Sequence, residues 1–127
     1  MTADMTTETG ARGIFEMTWE ELIAAVRQLP FEEKRQDAED YFEAVAVASS
    51  VAELGRTLEG FFGPPFKPAG QKSSRDADRY SDRYGGVMQN QVLYYKEREG
   101  LSNCAMLWPW SDGQRVTVKI GRGVLVR

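Results

Sequence analysis

The chain has 127 residues, 42% hydrophobic and 28% charged, with a net charge of −3, proportions that exclude fibrous, collagenous and wholly disordered classes. It contains no histidine and one cysteine, Cys104, which removes imidazole general bases, Ser-His and Cys-His nucleophile pairs, the common zinc ligand sets and any disulfide within the chain. Unbroken apolar runs such as Ala44 to Ala48 are far short of the ~20 residues of a membrane helix, no basic start leads into an apolar core, and a reducing cytoplasm is the expected location.

Residues 1–13 hold four threonines and almost nothing large to bury, and read as a mobile arm ahead of a single domain over 14–127. Within that domain the helical half is expected over 14–63. Thr18-Trp19-Glu20-Glu21 is a capping box, and behind it Trp19, Leu22, Ile23, Val26 and Leu29 recur at helical spacing. Pro30 ends this helix and opens the next. From Phe31 the pattern Ala38, Tyr41, Phe42, Val45 predicts a second helix reaching about Ala48, with Glu32, Glu33 and Asp37 complementing the dipole of its first turns. A second box, Ser50-x-x-Glu53, opens a further stretch in which Val51, Leu54, Leu58, Phe61 and Phe62 form an apolar stripe.

Residues 64–74 are rich in Pro, Gly, Ser and Lys and read as an extended connector. A short polar helix is expected from Ser74 to Tyr84, ended by Gly85-Gly86. The rest, to residue 127, reads as β: Val87 to Glu97, Leu101 to Trp108, and Arg115 to Ile120 with its clean period of two. Asp112-Gly113 is a strong hairpin signal and Glu99-Gly100 suits a glycine bulge turn. Gly121-Arg122-Gly123 reads as a bend before a short edge strand, Val124 to Val126. Pro109 lacks the amide a central ladder needs, so regular pairing is expected to stop at Trp108. The expected fold is α+β, about three N-terminal helices on one face of a C-terminal three- or four-stranded antiparallel sheet.

Charge divides unevenly. Residues 1–63 carry 13 acidic and 5 basic side chains, and residues 64–127 carry 6 and 11. Either the halves attract each other, within one chain or across a dimer, or the basic half meets an anionic partner. Arg75, Arg79 and Arg83 are spaced four apart, a row of like charge that repels itself on an isolated helix. The row therefore faces something negative: Glu39, Asp40 and Glu43, or an external phosphate or carboxylate.

Cys104 is the one strong nucleophile type, but its strand face is shared with Met106 and Trp108, where burial quiets a thiol. The pairs Glu97/Glu99 and Glu20/Glu21 lack surroundings that would separate two pKa values, and Asp76, Asp78 and Asp82 lack the loop of a magnesium site. Trp108-Pro109-Trp110 offers either a stacking surface or core bulk. Tyr94 and Tyr95 point to opposite faces, so Tyr95 with Trp110, ringed by Lys96, Lys119 and Arg115, outlines an aromatic, cationic area. The expected function is a non-catalytic binding or assembly module, in one form a homodimer joined through exposed sheet. The alternative is an anion- or nucleic-acid-binding protein built on Arg75, Arg79, Arg83, Tyr95, Trp108 and Trp110. Neither requires a cofactor, a metal or a membrane.

Overall fold

The computed structural model describes residues 16–125; the expected arm over residues 1–13 lies outside them. Helix α1 spans Trp19–Arg27, and its capping box forms as read: Glu21 N donates to Thr18 Oγ1 at 3.1 Å and Thr18 N donates to Glu21 Oε1 at 2.8 Å. Strands β1 (Glu33–Asp37) and β2 (Tyr41–Val47) follow as a hairpin, then α2 (Val51–Phe62), α3 (Arg75–Ser81), β3 (Val92–Arg98), β4 (Leu101–Pro109) and β5 (Arg115–Val124). The sheet is antiparallel in the order β1-β2-β5-β4-β3. The α+β class is as expected.

The hairpin replaces the helix expected from Phe31 to Ala48. Tyr41–Val47 satisfies two periods at once: Phe42, Ala44 and Ala46 alternate onto one face, while Tyr41, Glu43, Val45 and Val47 take the other. Its valines and aromatics favour the pleated form, and β2 pairs with β5 from Tyr41↔Gly121 to Val47↔Arg115. That non-local ladder outweighs a helical reading of the same letters. β1 is polar and exposed at every position, an edge strand with a bulge at Arg35 whose charges discourage further pairing.

Helices α1 and α2 cover one face of the sheet. Leu22, Ile23, Val26, Leu54, Leu58 and Phe61 pack there against Phe42, Ala44, Val116, Val118, Ile120, Ala105, Leu107 and Tyr94. α3 lies on the opposite face, where Ala77 joins Leu93, Cys104 and Met106, so the helices divide between the two faces rather than sharing one. Alternation along β4 and β5 supplies both cores.

Four local expectations are corrected. β4 continues through Pro109, which pairs with Val116, and Trp110 N donates to Arg115 O at 2.9 Å. The missing proline amide faces the β3 side, where pairing begins only at Leu107↔Val92, so no ladder bond is lost. β5 runs unbroken to Val124, with Gly121 and Gly123 inside it rather than at a bend. The β3–β4 turn is a two-residue one, with Glu99 at φ 55° and Gly100 at φ 75°, the pair of positive dihedrals that matches strand twist. The Asp112-Gly113 turn forms as expected, with Gly113 at φ 71° and Asp112 Oδ1 accepting from Gln114 N and Arg115 N. α2 begins at Val51, but Ser50 makes no side-chain cap because a 3-10 turn places it in helical backbone.

The connector is pinned by a buried lysine. Lys67 is 1% exposed, its backbone pairs with Leu93, and Nζ donates to the carbonyls of Pro68 (3.0 Å), Gln89 (2.9 Å) and Gln91 (2.6 Å). Three acceptors satisfy the three ammonium donors, which is how a buried charge is tolerated.

Candidate functional site

On the face opposite α1 and α2, α3 covers only the part of the sheet near β3 and β4. Where α3 tightens into the 3-10 turn Asp82–Tyr84, a cleft of about 550 Å³ opens between that turn, the tip of the β1–β2 hairpin and β5. Asp40, Tyr41, Arg83, Tyr84, Gly85, Lys119 and Arg122 line it.

Two glycines in β5 make this arrangement sterically feasible. A Cβ on Gly121 would lie 2.7 Å from the Tyr84 ring, and one on Gly123 would collide with the Arg83 guanidinium. Tyr84 and Arg83 therefore rest directly on the strand, and Arg83 Nη2 donates to Val124 O at 3.3 Å. Tyr84 stacks parallel to Tyr41, with ring centroids 5.8 Å apart and 6° between planes. A glycine inside a strand signals close approach by another group, so Gly121-x-Gly123 was the sequence cue to this site.

The cleft's three cations differ in their partners. Arg122 is held by Asp40 (Nε to Oδ1 3.0 Å) and Glu20 (3.6 Å) and lies over the Trp19 ring. Arg83 and Lys119 have no carboxylate at ion-pair distance among the described residues. Lys119 Nζ donates to Tyr84 O at 2.9 Å and lies 3.5 Å from the centroid of the Trp108 ring. Burial pushes its pKa below the ordinary lysine value; Glu43 opposes that shift and Arg35 adds to it. Tyr41 donates to Glu43 at 2.6 Å, and burial with that carboxylate raises its pKa. Burial also raises that of Tyr84. Both phenols are therefore neutral at physiological pH.

The structure does not keep the sequence-derived candidates together. Of the arginine row, Arg83 reaches the cleft, Arg79 pairs with Asp76 of its own helix at 3.0 Å and lies over Tyr80, and Arg75 is exposed outside the cleft lining. The acidic and basic halves do pair, through other cations: Arg115 with Glu32, Lys96 with Glu16, and Arg122 with Glu20 and Asp40. Tyr95 is not an open platform, because Tyr80 stacks on it at 3.6 Å and Phe66 packs edge-on. Lys96 lies on the opposite face against Phe61, so it does not ring the aromatic area. Trp108 and Trp110 share the α3 side of the sheet. Trp108 lies beneath Gly85 and Lys119, with its indole nitrogen buried and unpartnered. Trp110 is 36% exposed, donates to Thr117 Oγ1 at 2.8 Å, and lies near the guanidiniums of Arg35 and Arg115.

Cys104 is buried on the face shared with Met106, and burial pushes its thiol up to about 12, which leaves almost no thiolate at neutral pH. Among the described residues, no group of three or more metal-ligating side chains converges and no helix is long and apolar enough to cross a membrane. No family model matches the chain, and no curated protein or solved structure matches it.

Proposed function

We propose that this protein is a non-catalytic binding module, acting in the cytoplasm, that takes an anionic ligand in the cleft between the 3-10 turn and β5. One observation carries the reading: Arg83, with no carboxylate at ion-pair distance among the described residues, lines an open cleft together with Lys119 and Arg122. An anion bound in the cleft gains charge-assisted hydrogen bonds from a guanidinium that holds no such carboxylate. No histidine is present, and the one thiol is buried and protonated, which supports binding rather than turnover.

The test is a thermal melt at fixed ionic strength with sulfate, phosphate and citrate, wild type beside the R83Q/K119Q variant. Specific binding raises the wild-type midpoint and leaves the variant's unmoved. Equal response of both proteins to every anion contradicts the reading.

The assembly reading rests on a different spot. Val47 and Trp110, each 36% exposed, lie on the same face beside Arg115, where α3 does not reach. A dimer through this area predicts a concentration-dependent elution volume that W110S abolishes; a monomer at all concentrations removes it.

A further inference from the structure

The cover of the second core is anchored unlike the cover of the first. α2 buries Leu54, Leu58, Phe61 and Phe62, whereas α3 buries only Ala77 and Ser81, a methyl group and a hydroxyl. Ser81 Oγ donates within its own helix, to Ala77 O at 2.7 Å. Side chains this short gain little from leaving water, and a seven-residue helix does not stand alone. Main-chain bonds do not make up the difference. Among the described residues, residues 64–84 join the sheet backbone only where Lys67 and Leu93 exchange hydrogen bonds of 3.0 and 2.9 Å. Side chains supply the rest: Tyr80 stacks on Tyr95 at 3.6 Å, and Lys119 Nζ donates to Tyr84 O. The strongest tie is the Lys67 ammonium, which holds Pro68 O together with Gln89 O and Gln91 O. It fastens the start of this segment to the loop that follows its end.

We propose that residues 64–84 form a strap that opens as one unit while the α1/α2 core stays folded, with the Lys67 ammonium as its latch. Glycines at positive φ bound the strap, Gly63 at 78° and Gly85 at 104°, where the backbone changes direction without a Cβ penalty. The first core draws no residue from the strap, so lifting it gives up the contacts of one segment alone, at less cost than global unfolding. Opening uncovers Leu93, Cys104 and Met106. It also carries Arg83 and Tyr84 away from the cleft wall, so closure of the strap completes the cleft.

Cys104 is the chain's one cysteine and lies buried in the core that the strap covers, so its reaction with an aromatic disulfide reagent reports opening. The experiment follows that labelling rate in the full chain through low urea, beside global unfolding. In wild type the rate should rise far less steeply with urea than the global unfolding constant, because the slope scales with the surface exposed. K67M loses the latch in the closed state alone and should speed labelling about tenfold or more. I23V, a mild truncation in the first core, weakens closed and open states alike; it should lower global stability and leave the labelling rate unchanged. A wild-type rate that matches global unfolding in size and urea slope overturns the strap, and so does an I23V rate raised by the same factor as its unfolding constant. A thiol that reacts as fast as one in a short peptide overturns it too, since nothing then covers Cys104. Labelling of folded K67M at the wild-type rate overturns Lys67 as the latch. The wild-type urea series and I23V decide the strap even where K67M fails to fold. No ligand enters the experiment, so its failure leaves the anion reading standing.

Discussion

The two faces of one sheet are built from alternate residues of the same strands, yet they end in different states. On the α1/α2 face, Phe42, Ala44, Val118, Ile120 and Ala105 are sealed under two amphipathic helices. On the other, a seven-residue helix covers Leu93, Cys104 and Met106, and the area over β2 and β5 is left to Lys119, Glu43, Tyr41 and Trp110. A face closed by helices is stabilised by area and packing. A face closed by long polar side chains leaves room for a ligand, because those groups keep hydrogen-bonding capacity while covering apolar stems.

The sharpest way to break this comparison is to truncate one aromatic on each face. Phe42, fully buried, lies in the sealed core, so Phe42→Ala should cost roughly 3–5 kcal/mol. Trp110→Ala on the half-covered face should cost less, roughly 2 kcal/mol, since about a third of its surface stays wet. Equal losses by chemical denaturation would mean that the second face is as closed as the first.

Lys67 tests the edge that the second face shares with the connector. Lys67→Met keeps the bulk but leaves three carbonyls without their ammonium, and should destabilise by roughly 1–3 kcal/mol. Hydrogen exchange should rise first at Leu93 and Gln91, whose backbones the clip holds; protection unchanged there would show that the connector is held by other contacts.

Gly121→Ala should lower the thermal midpoint by several degrees, equivalent to roughly 1–2 kcal/mol, because its Cβ displaces the Tyr84 ring. The same change should reshape the anion cleft, so binding and stability fall together. A stable variant with full anion binding would mean that Tyr84 does not rest on the strand.

Near neutral pH the titrations leave stability untouched, and their effect appears only in alkali. Cys104 and Tyr94 are both pushed up to about 12, chiefly by burial, so the native state keeps protons that the unfolded chain releases above its ordinary values of 9 and 10. A raised native pKa stabilises below the unfolded value and is lost above it, so stability should fall between about pH 9 and pH 12. Cys104→Ala should flatten that slope. In the cleft the sign is similar but concerns the ligand: Lys119 must be protonated to hold an anion, so affinity should fall as pH rises through its lowered pKa. Glu43, Arg35, Arg83, Arg122, Asp40 and the neutral Tyr41 and Tyr84 are the groups around it, and K119R should carry the binding to higher pH.

Much of the fold was legible in the sequence where the signals are local. The Thr18/Glu21 box, the α2 stripe, Ser74 at the start of α3 and the Asp112-Gly113 turn are short-range features, and each appears where the residues place it. The β1–β2 hairpin was not, because Glu33–Asp37 is a polar run of mostly good helix formers that becomes a strand only by pairing with β2, itself paired to β5 some 75 residues later. That one misreading hid most of the cleft. Asp40 and Tyr41 belong to the hairpin, and without it Lys119 and Arg122 have no wall opposite them. Arg83 was legible as part of a charged row, but the 3-10 turn separates it from Arg79, a geometric change that spacing cannot reveal. The two glycines of β5 carried the most information, since each marks a side chain of the turn lying on the strand.

The most direct test of the central claim, an anion cleft on the half-covered face, is to titrate isotopically labelled protein with phenyl phosphate and follow its amide and aromatic resonances. The account predicts shifts confined to Tyr41, Arg83, Tyr84, Gly85, Lys119 and Arg122, saturating together and absent in R83Q. Shifts centred on α1 and α2, or scattered changes that never saturate, would contradict it.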